Sequence, residues 1–122
     1  MADLSDHLKD ALVKHVFTNV AYTSPTTVYL ALHTAAATEV TGGTYGRQTM
    51  ACTHAGAGTG QISNTADEAF TGMPACTVTH LAVYDASTAG NQLAVTPLAV
   101  PRAVAAGKTF TVTAGDYTFT FS

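Results

Sequence analysis

Residues 27–34 read Thr27-Val-Tyr-Leu-Ala-Leu-His-Thr34. Val28, Leu30 and Leu32 fall on one side of an extended chain, with Tyr29, Ala31 and His33 on the other. A period of two sustained over such a stretch predicts a β-strand. Upstream the period is different. Over residues 3–19, Leu4, Leu8, Ala11, Leu12 and Val16 recur at three- and four-residue steps, the spacing of an α-helix with one apolar face. Asp3 is the expected N-cap with Asp6 three residues on, acids that suit the helix dipole, and Lys9 and Lys14 fall on the wet side. Ser24-Pro25 stops any continuation. A helix with one sticky face has to dock, on its own sheet or on a neighbour.

Downstream the period of two persists. Thr41-Gly-Gly-Thr44 is a glycine-rich connection, and residues 45–54 form a strand candidate with Met50 and Cys52 on one face. The Gly/Ala stretch 55–60 reads as a loop, 61–64 as a short strand around Ile62, and 66–70 as a weaker one. Residues 77–84 are apolar on both faces (Val78, Ala82 and Tyr84; Leu81 and Val83), which marks a central strand. Residues 85–91 are turn material. Residues 92–100 predict a strand that is interrupted at Pro97 and closed by Pro101, so it belongs at an edge or bends. Residues 108–113 and 117–121 predict a hairpin, with Phe110 and Val112 facing Tyr117, Phe119 and Phe121 across Ala114-Gly-Asp116. Some seven or eight short strands with regular turn signals predict a mainly β chain. The expected architecture is one domain over residues 1–122: an N-terminal helix within 1–20, then an antiparallel sandwich over 26–122, jelly-roll or immunoglobulin-like.

The 122-residue length suits a single domain that buries roughly two-thirds of its unfolded surface without metal or disulfide. Charged residues are 11% and hydrophobic ones 47%, a balance that excludes intrinsic disorder. No apolar run reaches the ~18 residues of a membrane span, so a soluble chain without a membrane role is expected. The net charge of -3 and the absence of a basic run argue against nucleic acid as a partner. With 22 Thr and 22 Ala, the exterior is expected to be smooth, uncharged and threonine-covered. Sparse surface charge favours association, which points to a protein that sits against something. The acidic N-terminus lacks the pattern of a signal peptide, so Cys52 and Cys76 are expected as buried, reduced thiols of a chain made in a cytoplasm.

Little in the chain points to catalysis, metal or cofactor. Cys52 and His54 with Cys76 and His80 suggest zinc by residue type. On strands, however, Cys76 and His80 would lie about 13 Å apart, too far for one ion. No serine sits in a nucleophile elbow. Asp67 and Glu68 are adjacent, so on a strand they face opposite ways and read as turn and surface acids. Gly56-Ala-Gly-Thr-Gly60 lacks the helix and lysine of a phosphate loop. Tyr22, Tyr29 and Tyr45 are the aromatics a bound sugar would use, although tyrosine more often serves core or interface.

Five segments follow one another in order: Thr27 to Thr34, Glu39-Val-Thr-Gly-Gly-Thr-Tyr-Gly-Arg-Gln48, Ile62-Ser-Asn64, Val78-Thr-His-Leu-Ala-Val-Tyr-Asp85 with Gly90-Asn91, and Ala106-Gly-Lys-Thr-Phe-Thr-Val-Thr-Ala-Gly115. Together they resemble small β-rich virion structural proteins of tailed bacteriophages, variously labelled tail fibre, minor structural or head decoration protein. The resemblance spans about the whole chain; Pro74-Ala-Cys76 departs from it, standing where an aromatic is usual. It implies a non-enzymatic virion protein, siphovirus type, assembled in the host cytoplasm. The first reading is a capsid-surface accessory protein, a homo-oligomer bracing the major capsid protein. Its expected interface is the helix face Leu4, Leu8, Leu12 and Val16 with the loop Thr41, Gly42, Gly43, Thr44 and Tyr45. The alternative is a tail or tail-fibre component contacting host glycans through the loops 55–60 and 86–91.

Overall fold

The computed structural model describes residues 3–54, 56, 58, 60–115 and 117–120. Strand β1 (Asp3–Leu4) leads into helix α1 (Asp6–Phe17). The strands that follow are β2 (Val28–Ala35), β3 (Thr38–Glu39), β4 (Gln48–Met50), β5 (Cys52–His54), β6 (Gln61–Asn64) and β7 (Glu68–Phe70). Four more complete the chain: β8 (Cys76–Tyr84), β9 (Gln92–Val104), β10 (Phe110–Val112) and β11 (Thr118–Thr120). No helix of the described residues is long and apolar enough to cross a membrane.

The largest sheet runs β1-β9-β8-β2-β3, with β4 also on β2. All its pairings are antiparallel. Its centre is the β2–β8 pair, where Leu30 opposes Val83 and Leu32 opposes Leu81. These four side chains enter one apolar cluster with Phe70, Met73, Val78, Phe110, Val112 and Tyr117. The latter residues come largely from the second layer, built of β10 on β7 and of β11-β6-β5. Leu30, Leu32, Phe70 and Val78 are fully buried, and each contributes about 1.5–3 kcal/mol by leaving water. The mainly β, antiparallel sandwich with one N-terminal helix is therefore the observed fold. Among the described residues no threonine side chain is buried, so threonine does clad the exterior.

Several local expectations are corrected. The helix cap is Ser5, whose side chain accepts from the Leu8 amide, because Asp3 is occupied pairing with Val95. The strand expected over 45–54 splits at Ala51, since β4 joins β2 while β5 joins β6 in the other layer. Strand β9 does not stop at Pro101. Between the pairs Val78–Arg102 and His80–Pro97 it bulges through residues 98–101, opposite Thr79 alone, with Leu98 still packed against the core. Both prolines lie past the two residues that β1 pairs, so their missing N–H groups fall at an edge and a bulge, where prolines are tolerated.

The expected C-terminal hairpin does not form. Phe110 pairs with Phe70 on β7, whereas Thr118 pairs with Ser63 on β6. Asp116 and Phe121 lie outside the described residues, as does the Phe119 side chain. The reason for the split is Asn64, buried to 2%. Its amide nitrogen donates to the Ala66 and Thr113 carbonyls. Its oxygen accepts from the Gly115 and Tyr117 amides. The connection that would have been a hairpin turn is thus pinned to β6 from outside. Two further corrections concern burial: Cys52 is exposed and Cys76 half-buried, both free, and Glu68 is buried rather than a surface acid. Asp67 on the opposite side is exposed and accepts from the Ala114 amide.

Candidate functional site

The helix meets the domain through its first two turns, over Leu8, Ala11 and Leu12. Leu4 and Leu8 pack against the core cluster, and the Ser5 amide donates to the Leu93 carbonyl. No residue of α1 is buried. The four expected face residues separate: Leu4, Leu8 and Leu12 are half-buried, while Val16 is 64% exposed. Four-residue steps drift about 40° each around a helix, so Val16 lies about 80° from Leu8. Val16 belongs instead with Val13, Phe17 and Val20, which are 55%, 79% and 51% exposed. Val13, Val16 and Phe17, three and one apart, make a second apolar stripe of α1 facing outward, and Val20 follows it beyond the helix end, past Asn19 at a φ of 59°. That spacing was present in the sequence and was masked by the leucines beside it.

The loop after β3 is clamped rather than free. The Thr44 amide donates to the Gly72 carbonyl at 2.9 Å, and its hydroxyl to the Thr71 carbonyl at 3.2 Å. The approach demands glycine on both sides. A Cβ on Gly43 would come within 2.5 Å of the Gly72 carbonyl oxygen, and one on Gly72 would overlap the Thr44 hydroxyl. Both have positive φ, +56° and +60°, the left-handed region that side chains resist. Thr41, Gly42, Gly43 and Thr44 are exposed, but Tyr45 turns inward. Its ring lies parallel to Phe70 with centroids 6.0 Å apart. Its hydroxyl accepts from the Leu32 amide and donates to Glu39 Oε2. Burial, chiefly, drives the Tyr45 phenol well above its usual range.

Glu39 and Arg47, flanking this loop, were not singled out by residue type, yet they hold it. Arg47 Nε and NH2 donate to the two Glu39 oxygens at 2.9 Å each. Arg47 NH1 donates to the Ala86 and Ala89 carbonyls at 2.8 Å, and the guanidinium lies 3.6 Å from the Tyr84 ring centre. One side chain therefore ties the loop expected for assembly to the turn expected for recognition. Between them lies an open cleft of about 340 Å³, lined by residues that include Thr41, Tyr45, Arg47, Ser87 and Thr88.

Beneath the cation, the Ala35 and Ala36 carbonyls face His33 Nδ1 and can only accept, which puts the proton there and leaves Nε2 to accept from the Tyr84 hydroxyl at 3.1 Å. Burial lowers the His33 pKa, outweighing those carbonyls and Glu39, which raise it. An imidazole kept neutral in the fold but free to protonate when unfolded, near pH 6.5, destabilises the fold only on the acid side. Stability is expected to hold above pH 6.5 and to fall below it, by at most about 1.4 kcal/mol per pH unit. Urea titrations at pH 7.5 and 5.5 check this, and His33→Gln should flatten the difference.

Among the described residues no group of three or more His, Cys, Asp or Glu could hold a metal ion; Cys52 and Cys76 stand in different sheets. Of loop 55–60, residues 55, 57 and 59 lie outside the described set. Two comparisons bear on the chain. The family model described as Gp80, podophage GP4 fiber I protein gp80, matches residues 3–120. No curated protein matches it.

Proposed function

The chain belongs to the Gp80 family, podophage GP4 fiber I protein gp80, a virion structural family, and on that premise we propose that it is a non-enzymatic tail-fibre subunit. In this reading it packs against virion partners through helix α1 and presents the loops around Arg47 towards the host surface. The family supports the fibre alternative better than the capsid-surface accessory reading, and its description names a podophage rather than a siphovirus. The observation that carries the assembly reading is the outward helix stripe Val13, Val16 and Phe17, with Val20 exposed just beyond the helix end. Large apolar groups in a contiguous exposed row mark an interaction site, and here they stand on a chain with little surface charge to oppose association.

The test is the assembly state of the purified chain by light scattering after size exclusion. The wild type is expected to self-associate with rising concentration, and Val16→Ser with Phe17→Ser to abolish this. Because these side chains are exposed, urea stability should change by no more than about 0.5 kcal/mol each. A wild type that stays monomeric at high concentration, and is absent from particles, overturns the reading.

A further inference from the structure

We infer that the cleft between loops 41–47 and 86–89 is a binding subsite for a neutral saccharide unit. The inference deepens the fibre reading and rests on it. The volume of about 340 Å³ falls at the small end of ligand sites, which run from about 300 to 1,000 Å³. Its chemistry selects the ligand. The charged groups in its lining are Glu39 and Arg47, and they neutralise one another through two 2.9 Å hydrogen bonds. An anion would have to compete with Glu39 for the guanidinium, and a cation with Arg47 for the carboxylate.

The pair still has hydrogen-bonding capacity. Arg47 commits four of its five N–H groups, and the Glu39 carboxylate accepts three hydrogen bonds of about four possible. One N–H and one lone pair remain, and a hydroxyl, which both donates and accepts, can use either. Around them, Thr41, Ser87 and Thr88 are exposed, and their hydroxyls each donate and accept. Tyr45 supplies the apolar wall, held in place by Phe70 behind it. Both rims are bolted together by Arg47, so little ordering remains to be done on binding. A cleft that is rigid, neutral overall and rich in hydroxyls fits a polyol better than a phosphate, an amine or a lipid.

The experiment is saturation-transfer NMR on the full chain with glucose, galactose, N-acetylglucosamine and rhamnose, and with glucuronate as the charged counterpart. Gly46 lines the cleft, its φ is not positive, and a Cβ there meets nothing within 4 Å. Gly46→Leu is therefore expected to fold and to narrow the cleft. At least one neutral sugar is expected to give transfer, weakened about tenfold or more by Gly46→Leu. No transfer from any neutral sugar, equal transfer in Gly46→Leu, or a preference for glucuronate overturns the inference. Mass spectrometry of purified particles of the phage encoding the chain tests the parent reading separately. Particles that contain the chain while no sugar binds overturn the cleft and leave the fibre reading standing; particles that lack the chain overturn the fibre reading.

Discussion

Asn64→Ala is expected to cost about 3 kcal/mol of folding stability, because it leaves the amide of buried Tyr117 without a partner and removes three further bonds to the same turn. The amide donates to two carbonyls, of Ala66 and Thr113, and accepts from the amides of Gly115 and Tyr117. Tyr117 is 2% exposed, so water cannot replace the partner its amide loses. Gly115 and Thr113 are exposed and water will answer part of their loss, which holds the estimate below the sum of four groups. Asn64→Asp is not a rescue, since a carboxylate oxygen would then face the Ala66 and Thr113 carbonyls. Urea denaturation checks both variants. A loss under about 1 kcal/mol, with an unchanged denaturant slope, would mean that the turn holds itself.

The second large effect is expected at Arg47. Its side chain is 8% exposed and that of Glu39 23%, so Arg47→Ala leaves a shielded carboxylate with only the Tyr45 hydroxyl, and two carbonyls without their donor. Breaking a buried pair from one side costs about 3–5 kcal/mol, and the partial exposure of Glu39 places this pair near the lower bound. Arg47→Lys is expected to recover less than half, because an ammonium cannot make the two parallel bonds or lie flat on Tyr84. Crossing Arg47→Met with Glu39→Gln in a double-mutant cycle isolates the pair, with a coupling of about 1–3 kcal/mol expected. Acid provides an independent check. Burial pushes the Glu39 carboxyl up, but the hydrogen bonds from Arg47 and Tyr45 outweigh it and hold it below the usual carboxylate range. A lowered folded-state value means that this stability is complete above about pH 4.5 and is lost as pH falls through the lowered value. The wild type should therefore lose more stability than Arg47→Met over that acid window.

Both expectations rest on polar side chains that composition and periodicity had left without a role, and the omission has a physical cause. A glutamate and an arginine eight positions apart are individually unremarkable, and only the bend of the loop between Val40 and Gly46 brings them within 2.9 Å. Asn64, at the end of a short strand, looks like a turn residue until residues 113–117 arrive beside it. The helix stripe is the intermediate case. Val13, Val16 and Phe17 stand in the sequence at helical spacing, but two apolar rows on one helix do not say which row faces inward.

Local pattern placed the main strands to within a residue or two: alternation marked β2, apolar residues on both faces marked β8, and a short apolar centre marked β6, whereas the two-residue β1 and β3 left no such pattern. Composition pointed to the threonine-clad exterior, and the ordered segments carried the resemblance to phage virion proteins. Pairing was decided only in three dimensions. Whether residues 110–112 meet 118–120 depends on Asn64, roughly fifty residues earlier in the chain, and whether β9 survives two prolines depends on its lying at an edge with room to bulge. Period is a property of neighbours along the chain, whereas pairing is a competition for hydrogen-bond partners among segments that meet only after collapse.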